Sequence, residues 1–130
     1  MEPIVWDSTY SVGVAEMDRQ HKQIIGVINR LIAEPDCEVS SELVSYALTE
    51  LTRYASEHFK AEEALLAKNK YADLQSHCEE HQQFRRKVVA LCQDTVAQSH
   101  LVPQALIGFI RDWWVNHILK EDMKYRALFI

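Results

Sequence analysis

Between Pro35 and Pro103 the sequence contains neither glycine nor proline. That gap constrains the fold more than any other feature, because sheet proteins turn tightly every dozen or so residues and those turns draw on both residue types. Long helices need neither. Apolar residues recur at helical spacing in four blocks, and each block predicts a helix. The first lies near 17–33, with Met17, Ile24, Ile25, Ile28, Leu31 and Ile32 inward and Pro35 as its stop. The second lies near 40–67 behind a Ser40 or Ser41 N-cap, with Val44, Ala47, Leu51, Tyr54, Ala55 and Leu65 inward and Asn69 as terminator. The third, near 73–97, carries Leu74, Phe84, Val88 and Leu91. The fourth, near 103–120, opens with Pro103 and carries Leu106, Phe109, Ile110 and Trp113. Short connections make successive helices antiparallel neighbours. The expected architecture is therefore all-α, an up-down-up-down four-helix bundle forming one domain over residues 1–130. Residues 1–16 read as an extended arm anchored by Val5 and Trp6, and a short segment follows the last helix.

Composition narrows the function. With 130 residues, 48% hydrophobic and 25% charged, the chain has the balance of a soluble globular domain. A net charge of −5 without a basic cluster argues against nucleic acid or an anionic membrane as partner. No apolar run approaches the roughly 18–20 residues of a membrane span, and no signal peptide is visible at the N-terminus. Cys37, Cys78 and Cys92 are odd in number and form no C-x-x-C pair, which fits free thiols and a cytoplasmic location.

The informative residues fill the gaps in the apolar stripes. The third helix reads Leu74, His77, His81, Phe84, Val88, Leu91 in steps of three and four. In the second, Tyr54, His58, Glu62 and Leu65 share one line. Met17, His21, Ile24 and Ile28 are in phase in the first, and Phe109, Trp113 and His117 in the fourth. A step of four residues advances only about 40° beyond a full turn, so each such pair shares a face. A buried polar group without a partner costs on the order of 1–3 kcal/mol. One inward histidine is ordinarily a satisfied core residue. Five, drawn from all four helices and leaving only His100 in a loop, are best satisfied together by a metal centre. Asp122 stands apart: five residues beyond His117, it is about 140° away on an ideal helix and reaches the same site only if the last turns unwind, bulge or break.

The donor set is too large for one tetrahedral zinc and lacks the thiolates of an iron–sulfur cluster. Imidazole with carboxylate suits iron, manganese or zinc, and two ions sharing carboxylates is the economical arrangement in a bundle core. Five imidazoles, two bridging carboxylates and one bridging oxygen from solvent fall one ligand short of two octahedral shells. The open position then lies on the ion that received two histidines. Two other motifs compete. The di-iron oxidase pattern Glu-x-x-His is missing, since no glutamate stands three residues before any histidine. The stretch His77-Cys78-Glu79-Glu80-His81 matches the H-x-x-E-H zinc-peptidase pattern but leaves His21, His58 and His117 unexplained.

Taken together, Val5-Trp6-Asp7, Asp18-Arg19-Gln20-His21-Lys22, His58-Phe59 with Glu62, His77-x-x-x-His81 and Trp113-x-x-x-His117 with Asp122 resemble the hemerythrin family, in particular its single-domain bacterial members. The resemblance spans nearly the whole chain. It implies a non-haem di-iron site that binds dioxygen reversibly for storage, delivery or sensing. By motif position, His77, His81 and His117 would hold one iron and His21 and His58 the iron with the open position. Glu62 and Asp122 would bridge the two, beside an oxo or hydroxo bridge. Ile24, Phe59 and Leu119 are candidate linings of an apolar oxygen pocket, with core packing as the plain alternative for each. Trp114 stands where the family usually has leucine, so it either narrows that pocket or packs outward. Asp18, Gln20, Glu80, Gln82 or backbone carbonyls are candidate partners for the outer imidazole N–H groups. The expected partner is dioxygen, with an oxygen-consuming enzyme as receiver, and the expected state is a monomer. The enzymatic alternative is reduction of dioxygen, peroxide or nitric oxide at the same site.

Overall fold

The computed structural model describes residues 2–130. Four helices carry the architecture: α1 (Ala15–Ala33), α2 (Glu42–Lys68), α3 (Leu74–Val96) and α4 (Val102–Trp113). From α4 the chain continues without a break into a π-helical segment, Trp114–Asp122, and then a short 3₁₀ turn, Tyr125–Leu128. No strand occurs among the described residues. Each helix packs on two others, α1 on α2 and α4, α3 on α2 and α4, which closes an antiparallel four-helix square. Among the described residues no helix is long and apolar enough to cross a membrane.

The ends follow from local chemistry. Ser41 is the N-cap of α2, its Oγ accepting from the Val44 N–H at 3.4 Å. Asn69 is the C-cap, and Lys70 behind it takes a left-handed conformation (φ 54°). The Tyr71 and Lys70 N–H groups then return to the Leu66 and Ala67 carbonyls, closing α2 with a Schellman motif. Gln98 (φ 60°) ends α3 in the same way. Pro103 lies in the first turn of α4, one residue inside a start at Val102.

The N-terminal arm differs from expectation. It contains a helical turn, Ser8–Tyr10, capped by Asp7. Val5 is 78% exposed and anchors nothing. In an extended chain alternate residues face opposite sides, so the half-buried Ile4 and Trp6 face the bundle and Val5 faces out. Ile4 is pinned through its backbone, the N–H to Asn29 Oδ1 at 2.7 Å and the carbonyl to Asn29 Nδ2 at 2.8 Å. Further along, Asp18 accepts from the Ser11 hydroxyl (2.6 Å) and the Val12 N–H (2.9 Å). On α2, Leu66 takes the central position and Leu65 sits half-buried on the flank.

The core has two apolar parts. The larger fills the end of the bundle that holds Leu31, Val44, Leu51, Leu91 and Leu106, and the smaller comprises Val12, Met17, Leu66 and Tyr125. A full Leu or Ile burial contributes about 1.5–3 kcal/mol, so these two clusters hold the helices in register. Between them lies a polar layer. The buried polar residues among those described are Gln20, His21, His58, Glu62, His77, His81, His117 and Asp122, and all of them belong to it.

Candidate metal centre

The antiparallel square brings together the start of α1 (His21), the end of α2 (His58, Glu62), the start of α3 (His77, His81) and the segment beyond α4 (His117, Asp122). Asp122 joins because its segment is wound as a π-helix, whose i→i+5 hydrogen bonds set residues five apart on one face. The side chains sort into two groups around the two carboxylates. Glu62 Oε1 lies 2.7 Å from His77 Nε2 and 3.0 Å from His81 Nε2, and Asp122 Oδ1 lies 3.0 Å from His77 Nε2 and 3.1 Å from His117 Nε2. On the other side, Glu62 Oε2 is 3.2 Å from His58 Nε2 and 3.8 Å from His21 Nε2, while Asp122 Oδ2 is 3.1 Å from His21 Nε2. Each carboxylate thus offers one oxygen to a three-histidine group and the other to a two-histidine group. Within each group one donor atom per residue lies within 4.8 Å of all the others.

Most of these atoms approach without forming hydrogen bonds. His21, His58, His81 and His117 Nε2 and both oxygens of Asp122 are buried with no hydrogen-bond partner among the described residues. Left that way they would be among the most destabilising features of the domain. Ligands about 2.1 Å from one ion and at right angles to each other stand about 3.0 Å apart, which is the spacing found here. The donor set therefore fits two cations of the imidazole-and-carboxylate class.

The outer ring nitrogens fix the tautomers. Glu63 Oε2 accepts from His81 Nδ1 (2.6 Å) and Glu80 Oε1 from His117 Nδ1 (3.0 Å). Gln20 Oε1 accepts from His58 Nδ1, an orientation set by Gln20 Nε2 donating to Glu16 Oε1 at 3.0 Å. With Nδ1–H directed outward, each Nε2 faces inward, the atom that would donate to an ion. Aromatic faces hold the ring planes: Phe59 stacks on His81 and Trp113 on His117, both at 3.8 Å between centroids, and Tyr54 stacks on His58 at 4.5 Å.

Electrostatics match this arrangement. Burial pushes the Glu62 carboxyl up, but His58, His21 and His77 outweigh it and hold the group well below its ordinary range. Burial and Glu62 push Asp122 up, and His117 and His21 overcome both, so it too stays ionised. Burial pulls His21 and His77 down, yet the nearby carboxylates of Asp122 and Glu62 raise them to about 9 and about 10. Against the same burial, the charge of Asp122 raises His117 to about 9. His58 is lowered, because burial there exceeds the pull of Glu62. Protons on imidazoles balance the two carboxylates in the protein alone, in the positions that cations would take.

Ile24 walls a polar cavity of about 390 Å³ between α1 and α2 that also touches Gln20, Tyr54 and His58. Phe59, Trp114 and Leu119 lie elsewhere. Phe59 covers the His81 ring. Trp114 is buried under the arm, edge-to-face with Tyr10 at 5.5 Å, and Tyr10 in turn meets Trp6 at 5.9 Å. Leu119 is half-buried on the larger apolar cluster. Of the outer partners anticipated, Gln20 and Glu80 take that role, whereas Asp18 holds the arm and Gln82 is exposed. Glu80 faces His117 Nδ1, on the far side of the ring from Nε2, and so is not placed as the base that the H-x-x-E-H pattern needs. Two participants went unnoticed in the sequence: Glu63, and Tyr125, whose hydroxyl donates to Glu62 Oε2 at 2.8 Å.

Residues 12–129 match the family model described as the hemerythrin HHE cation binding domain. A hemerythrin-like protein of Naegleria gruberi is 40% identical over 126 residues, covering 97% of this chain and 93% of that protein. A bacteriohemerythrin of Methylococcus capsulatus is 35% identical over 130 residues, covering 96% and 95%. Among solved structures, a hemerythrin variant with a leucine replaced by tyrosine superposes over the full length of both chains, with a TM-score of 0.79 and 30% identity.

Proposed function

The chain belongs to the hemerythrin family, and from that premise we propose that it binds dioxygen reversibly at a pair of iron ions held between its helices. The observation that carries the reading is the division of buried donors into unequal groups around two shared carboxylates. In this reading His77, His81 and His117 would hold one ion and His21 and His58 the other, with Glu62 and Asp122 shared between them. A pair of ferrous ions would supply two electrons and a place for a small ligand beside the two-histidine group.

The residues of the chain do the rest. Glu63, Glu80 and Gln20 hold the Nδ1–H groups of His81, His117 and His58, so that each Nε2 already faces the site before any ion arrives. Stacked Phe59, Trp113 and Tyr54 restrict the rings, and the apolar clusters on either side limit the access of water to the buried donors. All seven donors come from one chain, so the site is complete in a monomer. A carrier of this kind hands its dioxygen to an oxygen-consuming enzyme.

The test is spectroscopic. Protein reduced under nitrogen, with two irons per chain, is exposed to air and then degassed. A visible absorption band that appears and fades over repeated cycles is the expected result. One irreversible oxidation, or continuous oxygen consumption with a reductant, overturns the carrier reading in favour of an oxidase or peroxidase. A chain that folds but takes up no iron overturns both.

A further inference from the structure

The atoms behind the inner donors differ in charge from one side of the site to the other. On the three-histidine side, His81 Nδ1 and His117 Nδ1 both donate to carboxylates, at 2.6 Å and 3.0 Å. A carboxylate behind an imidazole draws its proton outward and makes Nε2 a stronger donor. Arg85 Nη2 stands 4.0 Å from Glu63 and moderates that charge, whereas Glu80 has no such ion pair among the described residues. On the two-histidine side, His58 Nδ1 donates to the neutral amide of Gln20. The nearest acid behind that amide, Glu16, is held by Arg19, so little of its charge reaches the ring. His21 Nδ1 is buried with no hydrogen-bond partner among the described residues. The carboxylate oxygen on this side, Glu62 Oε2, also gives up electron density to the Tyr125 hydroxyl, while Oε1 faces only imidazoles.

We propose that these outer partners make the two metal positions unequal in affinity by more than their ligand count. The position of His77, His81 and His117 fills first and holds its ion, and that of His21 and His58 fills second and exchanges. Glu63, Glu80 and Gln20 act as positioning residues that set this order through the imidazoles they touch. The inference rests on the two-metal reading of the site and adds a direction to it: the ion beside the open ligand position is the one the protein loses.

Cobalt(II) is the probe, added anaerobically to the full-length metal-free chain. Uptake is followed by visible absorption, and affinities are read by competition with a chelator. Hyperfine-shifted imidazole N–H resonances at one equivalent report which histidines are occupied. The wild-type chain is expected to show His81 and His117 signals first. Glu63→Gln and Glu80→Gln keep an acceptor behind the ring but remove its charge, and should weaken the first step about 10–100-fold while leaving the second. Gln20→Glu, made with Glu16→Gln so that two carboxylates do not face each other, should tighten the second step and leave the first. A merely structural role cannot give shifts of opposite sign in opposite steps. If every variant weakens both steps alike, or if Gln20→Glu weakens the second, the proposal fails while the two-metal reading stands. If the wild-type chain binds no cobalt, that reading falls and this inference with it.

Discussion

His117 and Asp122 are five residues apart in sequence, yet Nε2 of one lies 3.1 Å from Oδ1 of the other, because the backbone between them is wound as a π-helix. An α-helix would turn Asp122 about 140° away, into the flank of the bundle. One residue fewer between them would let α-helical winding keep the two on one face. Deleting the exposed Lys120 should therefore convert the segment to α-helix and retain the His117–Asp122 contact, with the downstream register kept because one turn has simply lost its extra residue. Tyr125, three residues beyond Asp122, would stay on Glu62. The expected outcome is a folded protein that still binds metal and keeps the tyrosine contact, read by metal analysis and tyrosine ultraviolet absorption. Loss of all metal would mean that the π-helical geometry itself is required.

Tyr125 can also be examined without moving the backbone. Its hydroxyl donates to Glu62 Oε2 at 2.8 Å in a fully buried setting, and burial holds the phenol far above its ordinary range, so it remains a donor at any accessible pH. A hydrogen bond to a charged group contributes about 1.5–3 kcal/mol. Tyr125→Phe should lower the stability of the metal-free protein by that amount in urea unfolding, because the ionised carboxylate loses a donor and gains nothing. An unchanged midpoint would show that water or a neighbouring imidazole replaces the hydroxyl.

Most of this arrangement was legible in the helical phase. His21, His58, Glu62, His77, His81 and His117 interrupt apolar stripes at steps of three and four, and the structure turns each of them inward. Asp122 was not readable that way, since the period changes from α to π just where it is needed; only the family resemblance pointed to it. Tyr125 lies beyond the same change of period. Glu63 was hidden for another reason. Next to Glu62 and about 100° round the helix, it has the phase of a solvated flank, and its reach to His81 depends on side-chain length rather than position. Val5 faces solvent because the extended arm alternates with a period of two, which helical phase does not describe.

Gly13 offers a test of how the two chain ends close over the smaller apolar cluster. It adopts φ 85°, and a Cβ there would stand 2.6 Å from Ile130 Cγ1 and 3.1 Å from Phe129 Cβ. Left-handed backbone costs a non-glycine residue about 1–2 kcal/mol, and the clash adds to that. Gly13→Ala should destabilise the protein by at least about 1 kcal/mol in thermal or urea unfolding. Removing Ile130 from the same variant should recover only the steric part, since the backbone cost stays. Full recovery would assign the whole effect to the contact.

Protons and metal ions compete for the same nitrogen atoms, which fixes the sign of the pH dependence. In the metal-free protein His21 and His117 are held at about 9 and His77 at about 10, above the ordinary 6.5. The folded chain therefore binds more protons than the unfolded one, and the stability these groups contribute is fully present below pH 6.5 and lost as pH rises through 9 to 10. Glu62 and Asp122 lie below their ordinary 4.5 and 3.8, so their contribution is present above those values and lost as pH falls through the lowered ones. His58, lowered by burial, opposes folding below pH 6.5, because the unfolded chain gains a proton there that the folded ring refuses. Metal-free stability should accordingly peak on the acid side of neutrality, near the ordinary histidine value, and decline into the alkaline range. Metal uptake must expel the protons on His21, His77 and His117, so affinity should rise about tenfold per pH unit for each proton displaced. Titration calorimetry with cobalt(II) at neutral pH, run in two buffers of different ionisation heat, counts those protons directly. Uptake without proton release would mean that the imidazoles are already neutral, and would remove this account of how the site is balanced when no ion is bound.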